Sequence, residues 1–254
     1  KQERTTLGGM AKALFKNDQL MIAAAAMALF MIGYCTTTSF GIYYFKYAYK
    51  NEGTYMVFAA VLGVAQLLAL SIFPQFSKKF TRRQLYTGAT VAVVVAYILF
   101  FFSFEKLPLI ILAGLALFFA QAFIQLLMLL FLADAVEYGE WKLGKRNESV
   151  SFAVQPFINK LGGAIGTGVV TVTLIVSGIN EVSNQVAALD PVADAEAVNA
   201  LINGVVGKPL WIMKLAMMIL PLLCIVAGYI LYARKFKIDE TMYAQIVADL
   251  KEKQ

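Results

Sequence analysis

Six apolar stretches, each near the ~20 residues that a helix needs to cross a hydrocarbon core, restrict this chain to very few folds. They run over 20–45, 55–76, 85–104, 107–133, 150–178 and 210–232, with polar punctuation between them. Hydrophobic residues make up 60% of the sequence and charged residues only 15%, with a mean hydropathy of +0.70. The expected class is therefore an all-α membrane protein of six transmembrane helices. The arm 1–19 reads as the end of a linker from upstream sequence, because Lys1 is not a methionine and no leader precedes the first span. The bundle occupies 20–232. The polar tail 233–254 repeats Tyr243, Ile246, Val247 and Leu250 at helical spacing, which fits a surface helix better than a seventh span.

Charge gives the orientation. With an even number of spans, the arm, the second-to-third loop, the fourth-to-fifth loop and the tail share one side, and 16 of the 22 Lys and Arg residues lie there. The other side holds only Lys46, Lys50, Lys106 and Lys208. The positive-inside rule places both termini in the cytoplasm of a multi-pass protein, and the formal charge of +6 is a topology signal. It is no nucleic-acid footprint, since the basic residues sit at membrane boundaries and not on one soluble face. The absence of histidine removes the commonest metal ligand and general base, which argues against a metalloprotease or His-based hydrolase, and no metal site is expected. Cys35 and Cys224 lie in separate apolar segments without paired spacing and read as buried thiols.

Lys160 departs most from this apolar pattern. It lies eleven residues past Ser149, about 16 Å along a helix, whereas a lysine stem snorkels only roughly 6 Å. An ammonium at that depth faces a bundle interior or an aqueous cavity with an acidic partner. Every Asp and Glu here lies in a loop, a terminus or at a span end, so the partner is expected outside this chain.

Between the fourth and fifth spans, Asp134, Glu137, Tyr138, Gly139, Glu140, Lys142, Arg146, Glu148 and Ser149 form the pattern D-x-x-E-Y-G-E-x-K-x-x-x-R-x-E-S, followed by Gln155-Pro156-Phe-Ile-Asn159-Lys160-Leu-Gly-Gly-Ala164. Here the chain resembles the glycoside-pentoside-hexuronide:cation symporter family of the major facilitator superfamily, to which the melibiose and lactose permeases belong. The Trp141-Lys-Leu-Gly and Pro156-to-Ala164 pieces look closest to the lactose/galactoside permeases of lactic-acid bacteria. The resemblance covers essentially the whole chain as the family's C-terminal six-helix bundle. One departure is Lys145, where some lactose permeases carry histidine. The loop Pro74-Gln-Phe-Ser-Lys78-Lys79-Phe-Thr81-Arg82-Arg83 is similar to a degenerate copy of the superfamily's cytoplasmic motif.

The resemblance implies cation-coupled sugar transport by alternating access in a bacterial cell membrane, as symport or exchange. A galactoside such as lactose is the expected substrate, with other glycosides, pentosides or hexuronides as the alternative. The implied coupling ion is H+ or Na+, with no other cofactor. Sugar, membrane lipid and a missing N-terminal six-helix half are the implied partners, and a homodimer is a further one. Gln155 and Lys160 match positions near the sugar pocket, while Gln125 stands where melibiose permease has an aromatic.

Independently of family, neutral amides and hydroxyls facing a cavity suit sugar hydroxyls, which need both donors and acceptors. Gln155 and Asn159 stand i, i+4 beside Lys160 on the fifth span, Gln121 and Gln125 stand i, i+4 on the fourth, and Tyr34, Thr37 and Thr38 form a polar patch on the first. For Thr37, Thr38 and Gln66, hydrogen bonding between helices competes with substrate contact. The cluster Asp134, Glu137, Glu140, Lys142, Lys145, Arg146 and Glu148 is expected to form a gate or coupling network, latching helix ends in one state of the cycle. Gly162 with Gly166, and Ala164 with Gly168, give two small-xxx-small patterns for close helix approach. Pro156 and Pro221 interrupt spans and mark kinks. A membrane enzyme and a non-transporting assembly subunit are the rival classes; the first lacks a nucleophile motif, and the second needs no paired charge at Lys160.

Overall fold

The structure, a computed structural model, describes residues 15–144 and 148–252, with main chain alone over 148–151. Every regular element among the described residues is helical. In chain order they are α1 (Asp18–Tyr43, continued by a π-helical turn Tyr44–Ala48), α2 (Thr54–Ser77), α3 (Arg82–Phe101), α4 (Leu107–Leu143), α5 (Glu148–Ser177), α6 (Ile179–Ala187), α7 (Ala195–Gly204), α8 (Lys208–Lys235) and α9 (Glu240–Glu252). Helices α1 to α5 and α8 are long and apolar enough to cross a membrane, so the six expected spans are all present.

Local chemistry sets the helix ends, and hydropathy locates them only approximately. Asn17 caps α1 by accepting the Leu20 N–H at 3.0 Å, and its own amide donates to the Ala135 carbonyl of α4 at 2.7 Å. Thr81 and Gln84 form a reciprocal capping box at the start of α3. The third span ends at Phe101 instead of 104, because Phe104 and Glu105 take positive φ (49° and 54°) in the turn into α4. The largest correction concerns α4. Its hydropathy fades near residue 133, yet it continues to Leu143 over 37 residues, about 55 Å and well beyond a ~30 Å hydrocarbon core. It stops at Gly144, whose left-handed φ of 68° and N–H bond to the Glu140 carbonyl (2.9 Å) close the last turn.

Helix α1 is the centre of the bundle, packed most extensively on α5 and α8, while α4 packs against α2 and α3. The two α1 seams rest on missing side chains. A Cβ at Gly162 would stand 2.9 Å from Met31 Cβ, and one at Gly166 would stand 2.9 Å from the Cys35 and Thr36 backbone. On the other flank, a Cβ at Gly33 would meet the Pro221 carbonyl at 2.8 Å, and one at Gly228 the Ala26 carbonyl at 2.9 Å. Of the two small-residue patterns on α5, the Gly162/Gly166 pair therefore forms the seam; Ala164 and Gly168 are exposed, and a Cβ at Gly168 meets nothing within 4 Å.

Pro221 lacks the N–H that would bond the Met217 carbonyl one turn back. Thr37 of α1 donates to that carbonyl at 3.2 Å and bonds the Tyr97 hydroxyl of α3 at 2.5 Å, so the gap is filled from a neighbouring helix. Large apolar side chains such as Leu67, Val91, Leu112, Val172 and Leu223 are exposed on outer faces, which suits a hydrocarbon surrounding. Cys35 and Cys224 are free thiols.

The tail folds back onto the end of the bundle that carries the α1 start and the α8 end. Ile246 of α9 is buried against Tyr138 and Ile238, with Trp141, Met242, Tyr243 and Leu250 around it. The Trp141 indole donates to Asp249 at 2.8 Å.

Candidate functional site

Four helices converge on a cavity of about 180 Å³. Met27 and Met31 come from α1, Gln66 and Leu70 from α2, Ala122, Gln125, Leu126 and Leu129 from α4, and Gln155 and Asn159 from α5. Helix periodicity explains the pairing, because residues four apart occupy one face: Met27 with Met31, Gln66 with Leu70, and Gln155 with Asn159. The lining combines four neutral side-chain amides with an apolar wall and contains no charged group. Each amide offers both a donor and an acceptor, the requirement for reading a hydroxyl-rich ligand.

The structure brings Gln125, Gln155 and Asn159 together in this cavity and adds Gln66, whose Nε2 also donates to the Tyr34 hydroxyl at 3.0 Å. Gln121 and Thr38 lie elsewhere. Gln121 is fully buried, with its Nε2 3.4 Å from the Tyr97 hydroxyl, and so belongs to the interior network with Thr37. Thr38 donates back to the Tyr34 and Cys35 carbonyls of its own helix at 3.0 and 3.1 Å. Met27 and Met31 were the residues least visible in sequence, whereas Gln66 makes the hydrogen bond between helices that was weighed for it and lines the cavity as well. The available signal was a lone amide in an apolar span, facing a Met27, Met31, Tyr34 stripe at i, i+4, i+7.

Lys160 is exposed and lies outside the cavity lining. It stands roughly 160° around α5 from Gly162, which touches α1, and so points away from that seam. Lys214, the other lysine within a span, pairs with Glu105 of the α3–α4 turn. Lys160 has no acidic partner among the described residues, so the two in-span cations differ sharply.

At the end carrying the tail, charged residues from several helices pair with one another. Asp134, 2% exposed, forms an ion pair with Arg82 at the start of α3. Arg82 is held from two more directions. Its N–H donates to Glu240 at 2.7 Å, and its guanidinium lies over the Tyr243 ring at 5.1 Å. Lys142 reaches Asp18 at 2.6 Å and the Tyr138 hydroxyl at 3.2 Å, although both ends of the Lys142–Asp18 pair are well exposed, so it adds little stability. Glu137 and Glu140 are half-buried on α4 itself, beyond the point where its hydropathy ends. Lys145 and Arg146 lie outside the described residues, as does the side chain of Glu148.

The model of the family described as MFS/sugar transport protein matches residues 1–240. The chain belongs to that family. Among curated proteins it is similar to the raffinose carrier protein of Pediococcus pentosaceus, with 31% identity over 252 residues, covering 98% of this chain and 37% of the relative. It is 27% identical over 248 residues to the lactose permease of Lactobacillus delbrueckii subsp. bulgaricus (98% and 37% covered). It is also 31% identical over 201 residues to the isoprimeverose transporter of Lactiplantibacillus pentosus (78% and 40%). The chain thus spans less than half the length of these relatives. The resemblance to glycoside-pentoside-hexuronide:cation symporters, on the side of the lactic-acid-bacterial permeases, stands on these matches, and sugar transport is the function they share by name.

Proposed function

We propose that the full-length protein is a cation-coupled galactoside transporter of the bacterial cell membrane, working by alternating access, in which this chain supplies one six-helix half. The carrying observation is the cavity bounded by α1, α2, α4 and α5, whose polar lining is four amides without a charge. A neutral sugar that exchanges hydroxyl–water bonds for hydroxyl–amide bonds needs such a surface, and it needs a second surface across from it. Lactose is the first substrate to test, and proton or sodium ion is the coupling ion. The raffinose carrier and the isoprimeverose transporter among the relatives favour widening the test to other glycosides.

In this reading Lys160 faces the missing half and meets an acid there, both termini are cytoplasmic, and the Arg82–Asp134 end is the cytoplasmic gate. Uptake of radiolabelled lactose, raffinose and a xyloside into proteoliposomes, under imposed proton or sodium gradients, tests it. Saturable uptake that depends on one gradient and collapses in Lys160→Ala is the expected result. An absence of uptake of every glycoside, pentoside and hexuronide would refute it.

A further inference from the structure

The loop between α2 and α3 and the first turn of α3 carry four basic residues, Lys78, Lys79, Arg82 and Arg83, and the chain has no Asp or Glu between Glu52 and Glu105. Two carboxylates reach this segment from elsewhere among the described residues, and Arg82 takes both: Asp134 at its side chain and Glu240 at its N–H. Lys78, Lys79 and Arg83 are exposed and form no ion pair among the described residues. One cation of the four therefore turns inward and three are left at the surface. The loop backbone is closed on itself. The N–H groups of Lys79 and Phe80 both donate to the Phe76 carbonyl at 3.0 Å, and Thr81 with Gln84 caps the start of α3, so the basic side chains are what the loop offers an anion. Between these cations stands an aromatic pair. Phe76 and Phe80, 41% and 46% exposed, stack at a centroid separation of 5.8 Å with 29° between planes, and Phe123 of α4 braces Phe76 edge-on at 5.7 Å.

We propose that this loop is a binding site for the headgroup of an anionic phospholipid, with Lys78, Lys79 and Arg83 on its phosphate and the Phe76–Phe80 pair seated at the membrane–water boundary. Exposed aromatic rings beside basic residues at the end of an apolar span suit that boundary, where the ring body meets acyl chain and the charge meets headgroup. The sign of the charge selects the lipid. A zwitterionic headgroup brings its own ammonium close to the three cations, whereas an anionic one brings a net negative charge that none of the described carboxylates supplies here. Each basic residue near such a surface is worth about fivefold in association. The site shares no residue with the amide cavity, so it stands independently of the sugar-binding reading.

The full-length protein is reconstituted in phosphatidylcholine vesicles that contain rising fractions of dibrominated phosphatidylglycerol or, separately, dibrominated phosphatidylcholine. Phe80→Trp places a quenchable indole in the loop, and the signal of the native protein, with its own Trp141 and Trp211, is subtracted. Brominated phosphatidylglycerol quenches the added indole at a mole fraction about fivefold or more below that needed with brominated phosphatidylcholine. Adding Lys78→Gln/Lys79→Gln/Arg83→Gln brings the two lipids to within about twofold of each other. Neutralising three other exposed lysines at the same end, Lys16, Lys235 and Lys251, keeps the preference. Each single loop neutralisation removes part of it, which keeps the test informative if the triple variant does not assemble. Equal quenching by the two lipids overturns the proposal, and so does an indole that neither lipid reaches. A preference that survives the loop neutralisations, or that falls equally with the three control lysines, overturns it as well. Inorganic phosphate, compared with chloride at matched ionic strength, leaves the preference unchanged; relief of quenching by phosphate would show a site for a free anion and overturn the assignment to lipid.

Discussion

Gly166→Ala adds one methyl group where α5 meets the α1 backbone. The new carbon would stand 2.9 Å from both Cys35 C and Thr36 N, against ordinary contacts of 3.4 Å or more, so the seam has to open by about half an ångström. Backbone atoms cannot rotate aside as a side-chain tip can, and overpacking of this kind costs about 1–3 kcal/mol. Alanine returns about 1 kcal/mol through helix propensity, leaving a net loss of roughly 0–2 kcal/mol. Gly163→Ala, one residue from the seam, and Gly88→Ala on α3 meet nothing within 4 Å and keep only the gain. The contrast between the two classes is therefore ~1–3 kcal/mol, larger than the uncertainty of either term. Gly162→Ala opens the same seam against Met31, which lines the cavity, so it disturbs the cavity wall as well as stability. The double variant Gly162→Ala/Gly166→Ala loses less than the sum, because one opening accommodates both methyls. Thermal unfolding of the purified full-length protein, ranked across the four single variants, reads the effect. If Gly166→Ala melted no lower than Gly163→Ala, the close-contact account of the α1–α5 seam would be wrong.

Three further outcomes follow from the contacts. Arg82→Gln leaves the buried Asp134 carboxylate without its cation and destabilises the protein by about 3 kcal/mol or more, while Arg82→Gln/Asp134→Asn recovers much of the loss; equal melting of the single and double variants would contradict the pairing. Thr37→Val strands the Met217 carbonyl freed by Pro221, at a cost of about 1–3 kcal/mol, and Pro221→Ala in the same protein restores an intrahelical donor, so Thr37→Val costs less in the Pro221→Ala background than alone; an equal cost in both would refute the account. In the α6–α7 turn, Asp190 accepts the Val192 and Ala193 N–H groups at 2.8 and 3.0 Å, and these bonds hold its carboxyl below the usual carboxylate range. Its folded pKa is depressed, so the turn is fully supported above the ordinary carboxylate pKa and loses that support as pH falls through the lowered value. Protection of the Val192 and Ala193 amides, taken as exchange relative to the intrinsic rate at each pH, then falls in acid, and Asp190→Ala lowers it at every pH.

What could be read in advance follows the range of each interaction. The six spans were legible because transfer of apolar surface is local and additive along the chain, and the amide pair Gln155 and Asn159 shares a face by helical spacing alone. The length of α4 was not, since backbone hydrogen bonding carries the helix past its hydrophobic stretch until Gly144 can adopt a left-handed turn. The pairing of Asp134 with Arg82 was hidden as well. It depends on the packing of α3 on α4, which brings together residues far apart in sequence. Spacing also left Gly162/Gly166 and Ala164/Gly168 equivalent, and the position of α1 separates them. The face taken by Lys160 depends on that same seam, so its exposure could not be known before the seam was.

Arg82 joins three parts of the chain that lie far apart in sequence: its side chain reaches Asp134 and Tyr243, and its N–H reaches Glu240. Shortening the protein at the last hydrophobic residue of α8, a natural choice on hydropathy, would remove the acceptor of that N–H and the ring over its guanidinium. Such a truncation would behave as a lesion of the membrane bundle although no span had been touched, and its loss of stability would be misassigned to the spans themselves. The useful C-terminal boundary of the bundle is therefore the end of α9 and not the end of the last span.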